Sequence, residues 1–228
     1  MENFVLLLAM MAANGFDAVG YSFKHKQLNG SGNVSMYGKM SKAGRVISLV
    51  FSFLMLPLLV YSTMNSCDIT VLPALDFSLL CLVGVCSSLL FDHIGYTYRE
   101  KMFVAGGNTG FNSMISHSAQ SASLVSSMFI ILPYMLLSND VTVSMLVYCS
   151  YVLCSFAMIR FSLYNMIYNA IQGTGLYYES KSSFAGKITL WFYGVVGEDN
   201  KRFVDDGILT IRVCALFLPI IYLLAVHC

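Results

Sequence analysis

The chain alternates long apolar blocks with shorter polar gaps. A bilayer core of about 30 Å is crossed by about 20 helical residues, so each block is long enough to be a membrane span. Six spans are predicted, at about 3–21, 46–63, 77–94, 119–137, 141–158 and 208–226. The first is interrupted by Asn14, Gly15 and Asp17. It opens Met-Glu-Asn where a secretory signal carries a basic segment, so a retained helix is expected rather than a signal cleaved near Ala12-Ala13. The second block is unbroken except at Pro57, which membrane helices tolerate. In the third, Pro73 and Asp76 fit a helix start at the outer interface, which leaves Asp92 and His93 at the inner boundary. The fourth and fifth, joined by Ser138-Asn139-Asp140, read as a transmembrane hairpin.

The charges orient this pattern. All 13 lysines and arginines fall in or beside alternate gaps: Lys24, Lys26, Lys39, Lys42 and Arg45 in one, Arg99 and Lys101 in a second, Arg160, Lys181, Lys187, Lys201, Arg202 and Arg212 in or beside a third. Basic residues near membrane spans stay on the cytoplasmic side. Segments 22–45, 95–118 and 159–207 are therefore expected inside, and both termini outside. The outer loops, 64–76 and 138–140, carry only acidic charge. The expected fold class is an all-α, polytopic transmembrane bundle of about six spans, N-out and C-out, forming a single integral membrane domain over 1–228. Asn29 and Asn33 lie in glycosylation sequons that this orientation places in the cytosol, where they would stay unmodified.

Composition points the same way. Apolar residues make up 57% of the chain and charged ones only 11%, against about 25% in a soluble domain, so too few charges exist to cover a water-facing exterior. A net charge of +1 without a basic stripe excludes a nucleic-acid binder; the expected partners are the lipid bilayer and a second copy or another membrane protein. The expected location is a membrane, the plasma or inner membrane in a bacterium. No internal repeat is visible. Seven cysteines without a CxxC or zinc-like spacing suit apolar filling inside helices, although Cys67 and Cys228 both fall on the outer side, where a disulfide could form.

Polar side chains within or beside the apolar blocks are the candidate ligand-binding residues, because each is expensive there and tends to face the bundle interior. They gather toward the inner ends: Asn14 and Asp17, Asp92 and His93, His117 and Gln120, Arg160, Tyr164, Asn165 and Asn169, and Asp205, Asp206 and Arg212. This distribution predicts a polar basin open to the cytoplasm. Asn14 and Asp17 share a helix face at i,i+3, as do Asn165 and Asn169 at i,i+4. Arg212, well inside a span, needs an anionic partner, for which Asp17, Asp205 and Asp206 are available. The spacings define no catalytic set, no metal site and no cofactor site. Ala119, Ser123 and Ser127 recur at intervals of four in the fourth span, a spacing that lets helices approach closely. Segment 183–197 is apolar but too short to span, which predicts an interfacial helix with Trp191 and Tyr193 at head-group depth.

The run Arg160-Phe-Ser-Leu-Tyr-Asn-Met-Ile-Tyr-Asn-Ala-Ile-Gln-Gly173 resembles a stretch found after a transmembrane helix in uncharacterised small membrane proteins of bacteria and tailed phages. The resemblance implies membrane residence and no particular activity. Rhomboid-protease, CDP-alcohol phosphotransferase and Walker A patterns are absent from the sequence. Three functions remain: a small-solute or ion carrier or channel-like component using the basin, a structural or assembly protein of the membrane, and a membrane-embedded enzyme acting on lipid head groups. The absence of a catalytic motif weighs against the last.

Overall fold

The computed structural model of the protein describes residues 2–30, 32–67, 74–103, 109–138, 143–178, 184–197 and 200–227. Pro73, Asn139, Asp140, Lys181 and Cys228 lie outside the described residues, as do the side chains of Cys67, Asp76 and Ser127. All regular structure among the described residues is helical: α1 (Glu2–Leu28), α2 (Val34–Cys67), α3 (Ala74–Lys101), α4 (Thr109–Ser138), α5 (Val143–Ile159), a π-helical turn (Arg160–Tyr164), α6 (Asn165–Gln172), α7 (Phe184–Val196) and α8 (Lys201–His227).

Four stretches among the described residues are long and apolar enough to cross a membrane: Asn3–Leu28, Val34–Asn65, Met145–Gln172 and Lys201–Ala225. Their outward faces are apolar at helical spacing. On α2, Val46, Val50, Leu54 and Tyr61 are exposed while Ser48, Ser52, Met55, Leu59 and Thr63 are buried. A soluble monomer rarely leaves so continuous an apolar face uncovered, so the natural surroundings of this bundle are lipid.

The helices extend beyond the apolar blocks that mark them. α1 continues to Leu28 and α2 starts at Val34, where Asn33 Oδ1 accepts from the backbone N–H of Met36 at 2.9 Å and caps the new helix. The fifth block does not end at 158. Its helix runs on through the π turn to Gln172, so Arg160, Asn165 and Asn169 are helical residues rather than members of a loop. Gly173 stops it with φ 75°, the left-handed conformation that closes a helix C-terminus. Hydropathy marks where lipid is touched, whereas a helix persists as long as its polar residues find partners on neighbouring helices.

The core lies around α1. Leu6, Leu7, Met10 and Ala13 pack against Met55, Leu56, Leu59 and Val60 of α2, Val152, Phe156 and Ile159 of α5, Leu124 of α4 and Leu223 of α8. Small residues set the spacings. Ala119 and Ser123 of α4 are buried, and Ser88 of α3 donates to the Ser123 carbonyl at 2.7 Å. The two ends of the bundle differ in kind. Near the start of α1, a neutral trio closes the structure: Tyr148 donates to Ser62 Oγ at 2.6 Å and Ser62 donates to Asn3 Oδ1. At the other end, Lys24 of α1 meets Glu100 of α3 at 2.7 Å, and the buried charges gather.

Candidate functional site: a buried charged network at one end of the bundle

Asp17 is 5% exposed on α1, one turn from Asn14, which is fully buried. Both meet Arg160. Its Nη1 donates to Asp17 Oδ2 at 2.5 Å and to Asn14 Oδ1 at 3.4 Å, while Asn14 Nδ2 donates to its own helix at the Met10 carbonyl, 2.9 Å away. The guanidinium lies 3.8 Å from the Tyr164 ring centre, within range for a cation–π contact. Arg160 and Tyr164 are the first and last residues of the π turn. An i→i+5 turn is wider than an α turn and rotates the helix beyond it, which turns both side chains onto α1.

A second pair joins α2 to α3. Arg45 Nε donates to Asp92 Oδ2 at 2.5 Å, with the Tyr96 ring 4.3 Å beneath the guanidinium. The second pair adjoins the first through α1, where Gly20, one turn after Asp17, lies against the Arg45 backbone and the Tyr96 hydroxyl. His93, the next residue, points away and is exposed, since successive helical residues are turned by about 100°.

Arg99, on the last turns of α3, is 1% exposed. Its Nη2 donates to His25 Nδ1 at 2.7 Å and to the Tyr168 hydroxyl at 3.2 Å, and its plane lies 3.8 Å from the Tyr21 ring centre. A guanidinium only donates, so His25 Nδ1 must carry a lone pair in this arrangement and its proton sits on Nε2. Tyr21 is a hub. His117, Tyr164 and Tyr168 pack around its ring at 5.0, 6.3 and 6.2 Å, and its hydroxyl pairs with Ser116 Oγ at 2.8 Å, which donates in turn to the Gly95 carbonyl at 2.7 Å. Ser116→Ala is expected to lower stability by about 1–3 kcal/mol, because the buried Tyr21 hydroxyl loses its partner. Thermal unfolding of the detergent-solubilised protein reads this directly.

The remaining candidates fall outside this centre or at its edge. Gln120, 1% exposed, packs over Gly95, with no partner for either amide atom among the described residues. Asn169 and Arg212 act together. Asn169 Nδ2 donates to the Tyr178 carbonyl at 2.8 Å, and Arg212 donates to the carbonyls of Leu176 and Tyr178, so both side chains hold the segment after α6. The three carboxylates expected as partners for Arg212 are occupied elsewhere: Asp17 by Arg160, Asp205 by the Tyr193 hydroxyl of α7, and Asp206 by exposed Arg202 at 3.9 Å. Asn165 donates to its own helix at the Phe161 carbonyl, 2.9 Å away, and so does not share the role of Asn169. Burial, reinforced by the bond to Asp205, pushes the Tyr193 hydroxyl up to about 12.

Asn14, Asp17, Asp92, His117 and Arg160 thus come together with Gln120 alongside, Asn169 and Arg212 form a separate clamp, and His93, Asn165 and Asp206 join neither. The central residues that sequence reasoning missed are Tyr21, His25, Arg45, Tyr96, Arg99, Ser116 and Tyr168. Among them Tyr168 alone carried a regular signal, one turn beyond the expected Tyr164. No group of three His, Cys, Asp or Glu side chains placed to hold a metal ion occurs among the described residues. The chain matches no protein family, no curated protein and no solved structure, so the function has to be argued from this geometry.

Proposed function

We propose that the chain is a membrane protein of six spans, formed by α1, α2, α3, α4, the continuous α5–α6 unit and α8, with its charged end in the cytoplasm and both termini on the opposite side. The count draws on α3 and α4, which at 28 and 30 residues reach beyond 30 Å at about 1.5 Å per residue. The orientation draws on the cations, since Lys24, Arg45, Arg99 and Arg160 all meet partners at one end of the bundle. The functional reading is a small-solute carrier, with the buried network as the inner access region of its binding site.

The observation that carries this reading is the π turn at Arg160–Tyr164, placed where the fifth helix meets the charges of α1. Such turns are rare and occur often at functional sites. Here a helix irregularity meets an ion pair between two helices, and on the carrier reading this junction is where the helices shift as the site changes access. The test is flux. Proteoliposomes are loaded in turn with radiolabelled carboxylates, amino acids, sugars and monovalent cations. Asp17→Asn combined with Arg160→Gln should abolish uptake of the transported class while membrane abundance stays normal. Loss of abundance alone would make the pair purely structural.

The assembly reading has one observation in its favour. α8 turns Phe203 (77% exposed), Ile211 (60%) and Ile221 (61%) away from the bundle, a surface that a partner subunit could cover as well as lipid.

A further inference from the structure

α7 is covered by the protein on one side only. Gly186 is buried and Thr189, Tyr193 and Val196 are half-buried, a spacing of i, i+3, i+7 and i+10 that lines one face of a helix. The Tyr193 hydroxyl donates to Asp205 on the first turns of α8, which pins that face to its neighbour. Tyr193, expected as a head-group anchor, is therefore engaged with the protein instead. The rest of the circumference is open and apolar. Ile188, Leu190, Trp191, Phe192 and Val195 are exposed, Trp191 by 63% and Val195 by 64%, and Ile188, Trp191 and Val195 form a stripe opposite the pinned face.

Water does not suit such a surface, because a helix with apolar side chains on nearly every open face belongs in a core or in lipid. The length of α7 fixes how it lies. Its 13 residues reach about 20 Å at about 1.5 Å each, short of the roughly 30 Å apolar core of a bilayer. Charges flank both ends in the sequence, Lys181 and Lys187 at one, Glu198, Asp199, Lys201 and Arg202 at the other. Both ends therefore seek the polar boundary, and a helix too short to cross reaches it with both ends only by lying along one surface. Lipid fits the open faces better than a docked protein does. Leu190, Trp191 and Phe192, each turned by about 100° from the last, face three ways, whereas a docked partner covers one stripe. α8, to which α7 is pinned, begins with exposed Phe203 and continues with exposed Ile211, Phe217 and Ile221, so the apolar exterior of the bundle runs on to α7.

We propose that α7 is an in-plane membrane anchor whose partner is the bilayer itself, with Ile188, Trp191 and Val195 among the acyl chains just below the head groups. It lies in the leaflet at the charged end of the bundle, where Arg212 of α8 holds the segment after α6. The anchor requires that the bundle sit in a membrane and not that it transport anything, so its failure would leave the carrier reading untouched.

Trp191 is the sole tryptophan of the chain, so its fluorescence, excited where tyrosine does not absorb, reports α7 alone. The full chain is reconstituted into phosphatidylcholine vesicles whose acyl chains carry bromine either close to the head groups or close to the terminal methyls, with acrylamide present on both faces in a parallel series. Bromine close to the head groups should quench several-fold more than bromine at the methyl ends, and acrylamide several-fold less than it quenches free tryptophan. Strong acrylamide quenching without quenching by bromine would put α7 in water. Quenching by neither would bury it under a second copy or another protein, and stronger quenching from the methyl ends would put it at the bilayer centre. Each of these three results would overturn the proposal. The lie of the helix is read from Ile188→Trp and Val195→Trp, each in a Trp191→Phe background. The two positions are about 10 Å apart along the helix axis. An in-plane helix gives them the same depth profile, whereas profiles offset by that distance would mean an upright helix and no anchor of this kind.

Discussion

Asp17→Leu alone is expected to destabilise the protein by about 3–5 kcal/mol, because Arg160, with a side chain 14% exposed, is left as a charge without its carboxylate. Asn14 cannot replace the acid. It offers one neutral oxygen at 3.4 Å, and its amide nitrogen is committed to the Met10 carbonyl. Adding Arg160→Met should return most of the loss, since replacing both members of a buried pair by apolar groups of similar size is near neutral. The two single variants and the double variant form a cycle whose coupling should exceed about 2 kcal/mol, read from unfolding in detergent. The stabilised double variant is also the informative one for function. It should fold and reach the membrane, and on the carrier reading it should still transport nothing.

The second large effect concerns the crossing of α1 and α2. A Cβ on Gly44 would stand 2.6 Å from the Gly20 nitrogen and 2.9 Å from the Phe16 carbonyl oxygen, backbone atoms that no rotamer change can move. Gly44→Val should therefore cost about 3 kcal/mol or more, at the upper end of what overpacking produces, by forcing apart two helices that meet backbone to backbone. That separation would also move Arg45, the residue next to Gly44, away from Asp92. Gly207 of α8 is the control. A Cβ there meets nothing within 4 Å, so Gly207→Ala should raise stability by about 0.5–1 kcal/mol through helix propensity alone. Parallel melting curves of the two variants should shift in opposite directions.

The apolar blocks were legible because lipid contact demands long uncharged runs, and α1, α2, α5 and α8 stand where those runs lie. Their ends were not legible, because hydropathy reports the medium around a helix rather than its hydrogen bonds. Arg99 shows the same limit at the site. A cation at the end of a span reads as a solvated marker of orientation, yet this one is buried against Tyr21 and His25, and only the approach of α1 to α3 brings those residues together. The pairing of Asp17 with Arg160 was equally hidden. The π turn that aims Arg160 carries no composition of its own, and Arg212, deeper in its block, looked the more demanding partner. Asp92 and His93 could not be told apart until the rotation of α3 turned one inward and left the other exposed.

Central to the proposed function is that the charged network sits at the cytoplasmic end of a bundle whose termini lie on the other side. Epitope tags placed in turn in the 29–33 segment between α1 and α2 and after residue 228 test this most directly, read by antibody access before and after selective opening of each face of the membrane. The 29–33 tag should be reached only from the cytoplasm and the terminal tag only from the opposite face. A terminal tag on the cytoplasmic side, or both tags on one side, would contradict the proposed orientation.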